Sequence, residues 1–135
     1  MNFFVDTSAW SLAFRRAAPS TDPVVERLRR ALQGGEIVFT TGLVLQEVLQ
    51  GLRDPRQRAD LLERFGPLPL LMPDREDHVG AAGVQDICRR RSVQAGTVDA
   101  LLAQLCVRHD LVMLTADREF EHMAAPVGLD VWRPS

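Results

Sequence analysis

Apolar and polar positions along the chain switch between a two-residue and a three-to-four-residue period, and the switches lay out the elements. Asn2-Phe3-Phe4-Val5 is a short strand pattern, and Asp6-Thr7-Ser8 directly after it are residues that cap helices. A helix over about Ala9 to Arg16 is expected next, then a turn at Pro19-Ser20-Thr21-Asp22-Pro23. Val24, Val25, Leu28 and Leu32 have helical spacing, which Gly34-Gly35 ends. Ile37-Val38-Phe39 reads as a second strand, Gly42 to Leu52 as a helix, and Asp54-Pro55 as the start of another running to about Phe65. Leu68 to Met72 carries Pro69 and suits an edge strand or an extended segment. A long helix from about Asp74 to Arg91, a loop over Ser92 to Gly96, and a helix capped by Thr97 and ending near His109 follow. Leu111 to Leu114 is a fully buried type of strand, Asp117 to Ala124 a short helix, and Leu129 to Trp132 a last strand.

Strands alternating with helices imply an α/β fold whose mainly parallel sheet is covered on both faces. In such sheets ligands sit beyond the carboxyl ends of the strands, near the switch in strand order. Asp6 and Asp117 each directly follow a strand expected to be central.

A chain of 135 residues is expected to form one domain over its whole length. Met1 to Val5 is too short, and lacks the basic lead-in, for a signal peptide. No apolar run approaches the roughly 18 residues of a membrane helix. Cys88 and Cys106 have neither CxxC spacing nor zinc-finger histidines, and read as reduced, buried thiols of a cytoplasmic protein. The net charge of -2 excludes a protein that grips nucleic acid by bulk charge alone. All 16 basic residues are nevertheless arginine, whose planar fork suits phosphate.

Four acids carry the candidate chemistry. Asp6 and Asp117 sit where helix N-caps sit, and Asp99 lies in a first turn, where a carboxylate complements the helix dipole. Glu47 has Leu43, Val44, Val48 and Gly51 at three- and four-residue offsets or beside it, so it is expected to share an apolar face. Asp99 similarly shares a face with Leu102, Ala103 and Cys106. Inward carboxylates need a partner, either an arginine or a metal. Two of them about 5 Å apart repel by roughly 3 kcal/mol at an effective dielectric near 20, so four converging acids require counter-charge. All-oxygen ligation selects Mg2+ or Mn2+, which favours phosphodiester hydrolysis.

FVDTSAW at the start, LVLQEVLQG in the middle, TVDALLAQLCVRHD later and LVMLTADREF near the end resemble, in order and spacing, the PIN-domain ribonucleases. Within them the chain is similar to the VapC toxins of bacterial toxin–antitoxin pairs. The resemblance implies a three-layer α/β/α fold and Mg2+- or Mn2+-dependent endonucleolytic cleavage of RNA. It implies Asp6, Glu47, Asp99 and Asp117 as catalytic metal-site acids, with Thr115 as a hydroxyl beside the metal and Thr7 and Ser8 in the first motif. Asp6 and Asp99 are the expected direct ligands; Glu47 and Asp117 bind through water or orient the nucleophile. Glu119 is a further acid, read first as a surface residue. Ser92 departs from the glycine common in relatives, which touches loop geometry only. Arg89, Arg90 and Arg91, with Arg15 and Arg16, are the candidate RNA contacts; the alternative is a solvated, dipole-complementing helix end. A cognate antitoxin and a homodimer are implied as well.

A phospho-accepting receiver domain is similar in its strand-end acids, but that family contacts the phosphoryl group through a lysine, and this chain has none. Haloacid-dehalogenase-like phosphatases have a second aspartate two residues after the first, where this chain has Ser8. No GxxxxGK phosphate loop occurs. The alternatives left are a housekeeping nuclease and a PIN-like module that holds RNA or protein without cutting it.

Overall fold

The computed structural model describes residues 1–14 and 21–135. Its elements are β1 (Asn2–Val5), α1 (Thr7–Ala13), α2 (Pro23–Gln33), β2 (Ile37–Thr41), α3 (Gly42–Gly51), α4 (Pro55–Phe65), β3 (Leu70–Leu71), α5 (Arg75–Arg90), α6 (Thr97–Arg108), β4 (Val112–Leu114) and α7 (Arg118–Val127). Arg15, Arg16 and the expected end of the first helix lie outside the described residues.

All strand pairs are parallel and the order is β3-β2-β1-β4. Phe3 lies opposite Val38 on one side and Val112 on the other, so β1 is central. Consecutive side chains of a strand point to opposite faces, and Phe3, Phe4 and Val5 are all fully buried. Both faces of the sheet are therefore covered. Helices α1 to α4 pack among themselves, and α5, α6 and α7 form the second group, completing a three-layer α/β/α fold. The chain runs from β1 to β2 and β3 on one side, then returns to place β4 on the other. The switch in strand order thus falls between β1 and β4, the pair that precedes Asp6 and Asp117.

Local chemistry explains most element ends. Asp22 and Asp54 cap α2 and α4 ahead of a proline in the first turn, and Asp74 and Asp77 form a reciprocal capping box on α5. Ser92, at φ 57°, turns the chain out of α5, and Val93 N–H reaches back to the Cys88 carbonyl at 2.8 Å. That left-handed geometry favours glycine, which is why the serine stands out there.

Four expectations need correction. Gly96, not Thr97, occupies the N-cap of α6, and it offers no side-chain cap bond. Helix α7 continues to Val127 with Pro126 in its last turn, three residues beyond the expected end at Ala124. The last strand shrinks to a single bridge, Met113 with Val131, fastened by Met113 N–H to the Asp130 carbonyl and Trp132 N–H to the Met113 carbonyl. Finally, Glu47 does not face the core: it is exposed, while Val44 and Val48 are buried. At ~100° per residue their mean direction lies ~80° from Glu47, which puts the glutamate on the rim of the apolar stripe.

Cys88 and Cys106 are free and buried, and burial raises both thiols above the ordinary range. Among the described residues no helix is long and apolar enough to cross a membrane.

Candidate metal centre

The carboxyl ends of β1 and β4 deliver a hydrogen-bonded knot. Asp6 N–H donates to the Leu114 carbonyl, extending the β1–β4 register by one step. The Asp6 carboxylate, 4% exposed, accepts from Ser8 Oγ at 2.8 Å and from the Ala9 amide at 3.2 Å on Oδ1, and from Thr115 Oγ1 at 2.8 Å on Oδ2. Ser8 and Thr115 each own one hydroxyl proton, and each gives it to Asp6. Their oxygens then accept in turn: Ser8 Oγ from the Ala116 amide and Thr115 Oγ1 from the Asp117 amide, both at 2.9 Å. The knot thus locks the turn after β4 to the turn after β1.

Asp117 caps α7 by accepting from the Glu119 amide at 2.9 Å, so its N-cap role and its place at the strand end coexist. That cap brings Glu119 into the second helical position. There one carboxylate oxygen each from Asp99, Asp117 and Glu119 lie within 4.8 Å of one another. Asp99 enters from the first turn of α6, and Leu102, Ala103 and Cys106 are buried as its face requires. Glu47 closes the rim, accepting from Thr7 Oγ1 at 2.9 Å.

Electrostatics joins these side chains into one site. Burial pushes the Asp6 carboxyl up to about 6; the bonds from Ser8, Thr115 and Ala9 oppose that shift, and the charge of Asp117 adds to it. Burial also pushes Asp99 up to about 6, helped by the charges of Asp117, Glu119, Asp6 and Glu47 in that order. Asp99 therefore senses every other acid of the cluster. Carboxylate pairs at this spacing repel by roughly 3 kcal/mol at an effective dielectric near 20. The ion pairs among the described residues all lie elsewhere, so no described arginine forms a salt bridge with these acids.

Of the residues singled out in the sequence, Asp6, Asp99, Asp117 and Thr115 meet directly in this region and Glu47 joins through Thr7. Glu119, read first as a surface acid, belongs to the tightest trio. Its signal was its position two residues after a capping Asp117, where the first turn of α7 folds it back toward the strand end. Ser8 was legible only as part of the first motif, yet it bonds Asp6 directly. Arg89, Arg90 and Arg91 are exposed at the end of α5, with Arg89 paired to Asp86 at 3.2 Å. Only residues 91–96 separate that helix from the start of α6, so the arginines and Asp99 lie at the same end of the α5–α6 pair.

Comparison with known proteins agrees with this fold. A family model of the PIN domain matches residues 3–126. No curated protein sequence is significantly similar. Among solved structures, a chain of FitAcB from Neisseria gonorrhoeae superposes with a TM-score of 0.74 at 18% identity, covering 98% of this chain and 97% of that one. A chain of VapBC2 from Rickettsia felis, bound to a DNA fragment from its promoter, gives 0.74 at 15% identity over 98% of this chain and 100% of the other. The Mycobacterium tuberculosis VapC20, a sarcin-ricin loop cleaving toxin, gives 0.64 at 16% identity over 90% and 94%. With a family model spanning nearly its whole length and a fold shared with these structures, the chain belongs to the PIN-domain family.

Proposed function

We propose that this chain is a single-domain, divalent-metal-dependent endoribonuclease and the toxin of a toxin–antitoxin pair. One observation carries the reading: carboxylates from four separate elements converge at the switch in strand order, and none of the ion pairs among the described residues involves them. The donor set is oxygen only, which fits a hard cation, Mg2+ or Mn2+, rather than zinc. Asp99, Asp117 and Glu119 would hold it, with Asp6 offering the lone-pair site that its three protein donors leave open. Glu47 stands at the rim, where Thr7 orients it. When bound, such a cation polarises a phosphodiester and makes water a stronger nucleophile.

The protein's own part is positioning. Thr115 and Ser8 fix the Asp6 carboxylate, and the Asp117 cap fixes the start of α7, so the acids hold their places before any ligand arrives. Arg89, Arg90 and Arg91 are placed to meet the RNA backbone at the Asp99 end of the domain. The toxin assignment draws support from the fold shared with VapBC2, FitAcB and the RNA-cleaving VapC20. It carries with it a cognate antitoxin partner, a homodimer and a cytoplasmic site of action.

The test is cleavage of total cellular RNA by the purified chain with Mg2+ or Mn2+, with the cut ends mapped. Cleavage that chelator abolishes and Asp6→Asn lacks is the expected result. Wild-type protein that leaves RNA intact in either metal would leave a PIN module that binds without cutting.

A further inference from the structure

Thr115 and Ala116 contribute to a second feature besides the acid cluster. With Pro23 at the start of α2, with Arg118, Glu121 and His122 of α7, and with Trp132, they line a cleft of about 460 Å3. That volume is in the range of small-molecule sites. Among the described residues its lining is mixed in a particular way: one half-exposed indole, one guanidinium at the first position of α7, the exposed His122 imidazole, and two carboxylates, the exposed Glu121 and Asp22, whose Oδ1 is engaged in capping α2. Among the described residues Glu121 has neither an ion pair nor a hydrogen bond to occupy it.

We propose that this cleft is a nucleobase subsite that takes an unpaired guanine next to the phosphate held at the acid cluster. An indole face stacks on any base, which supplies affinity without sequence choice. Glu121 supplies the choice. An ionised carboxylate only accepts, and guanine is the base whose Watson–Crick edge presents two adjacent donors, N1–H and N2–H, to one such group. Adenine and cytosine offer a single amino group beside an acceptor, and uracil one N–H between two carbonyls. Arg118, at a helix start where the dipole favours anions, suits the phosphate of the same nucleotide. A run of backbone phosphates fits less well, because Glu121 would repel it. Thr115 belongs to both the cleft and the Asp6 knot, so a strand threading the two places consecutive nucleotides in them.

This subsite deepens the nuclease reading and rests on it for its purpose, but its test needs no cleavage. The chain has two tryptophans, and Trp10 is 2% exposed, so stacking on Trp132 is readable as quenching of its fluorescence. The four ribonucleoside 5′-monophosphates are titrated separately into the metal-free chain. Guanosine monophosphate is expected to quench saturably at about tenfold lower concentration than uridine monophosphate, the worth of one charge-assisted hydrogen bond. Trp132→Ala should lose the quench. Glu121→Gln, an exposed change that leaves the fold intact, should bring the two nucleotides within about twofold. Absence of saturable quenching by any nucleotide, equal midpoints for all four, or a guanine preference unchanged in Glu121→Gln would each overturn the subsite. A wild-type chain that prefers guanosine monophosphate yet cuts no RNA would uphold the subsite and overturn the nuclease.

Discussion

Carboxylates are buried in two parts of this molecule, and the two parts treat them in opposite ways. Between α5 and α6, Asp77 is 1% exposed, and Arg108 reaches it at 2.8 Å while also touching Asp74 at 3.2 Å. Burial works against the Asp77 charge, but the Arg108 guanidinium and the Asp74 amide hold its carboxyl below the usual range. At the switch in strand order, Asp6 and Asp99 receive hydroxyls, an amide and further acids, and their carboxyls rise to about 6. A chain with 16 arginines pairs one with the first carboxylate and none, among the described residues, with the second group. Counter-charge is supplied where the fold needs a fixed joint. Among the described residues no ion pair supplies it at the acids proposed to take a cation from solution.

The contrast is tested most severely at Asp99. Asp99→Asn is expected to lower RNA cleavage at least about a hundredfold, because under the proposed function it removes a group that acts on the reacting phosphate through the cation. The same change should leave metal-free thermal stability unchanged or raised, since it relieves repulsion. A clear drop in the metal-free melting midpoint would mark Asp99 as structural instead.

Arg108→Ala is the mirror experiment. It leaves Asp77 buried without its cation, so the melting midpoint should fall by about 5 °C with RNA cleavage retained. A midpoint that does not move would mean that the ion pair contributes little beyond the capping box.

The two regions should also respond to pH in opposite directions. Asp6 and Asp99 have folded-state values raised from 3.8 to about 6, so their contribution to metal-free stability is full below about pH 4 and is lost as pH rises through 6. Asp77 runs the other way, because its folded-state value is lowered: its contribution is present above about pH 4 and is lost as pH falls. Divalent cations bind the ionised carboxylates, so Mn2+ should raise the melting midpoint by several degrees at pH 7.5 and by much less at pH 5.5. An equal shift at both values would place the cation away from these acids.

The smallest expected effect concerns Arg89, Arg90 and Arg91. Replacing all three with glutamine should weaken single-stranded RNA binding severalfold and flatten its salt dependence, by roughly 0.7 in slope for each phosphate that is no longer neutralised. An unchanged salt slope would return the run to a solvated helix end that complements the α5 dipole.

Much of this was readable before any fold was known, and the parts that were not share a cause. Helix starts at Asp54, Asp74 and Asp117 were legible because a cap and its target amide lie within three residues of each other, whereas Asp22 read only as part of a turn and caps α2 in the structure. The alternating strands and helices were legible because side-chain period is a local property, as was the edge position of β3 behind Pro69. Glu47 was misread for a geometric reason: neighbours three and four residues away flank a helical position on both sides, and cannot say whether it lies at the centre or the rim of a stripe.

For the acid site, the chain by itself determined which residues were available: strand-end aspartates at 6 and 117, an inward Asp99, and no lysine to do other phosphoryl chemistry. Only the tertiary structure decided that Ser8 and Thr115 give their protons to Asp6, that Glu119 completes the trio with Asp99 and Asp117, and that none of the ion pairs among the described residues involves these acids. Those facts depend on the order β3-β2-β1-β4. A contact between residues 6 and 115 is set by which strand lies beside which, and strand order is the sum of packing across the whole sheet rather than of any local preference.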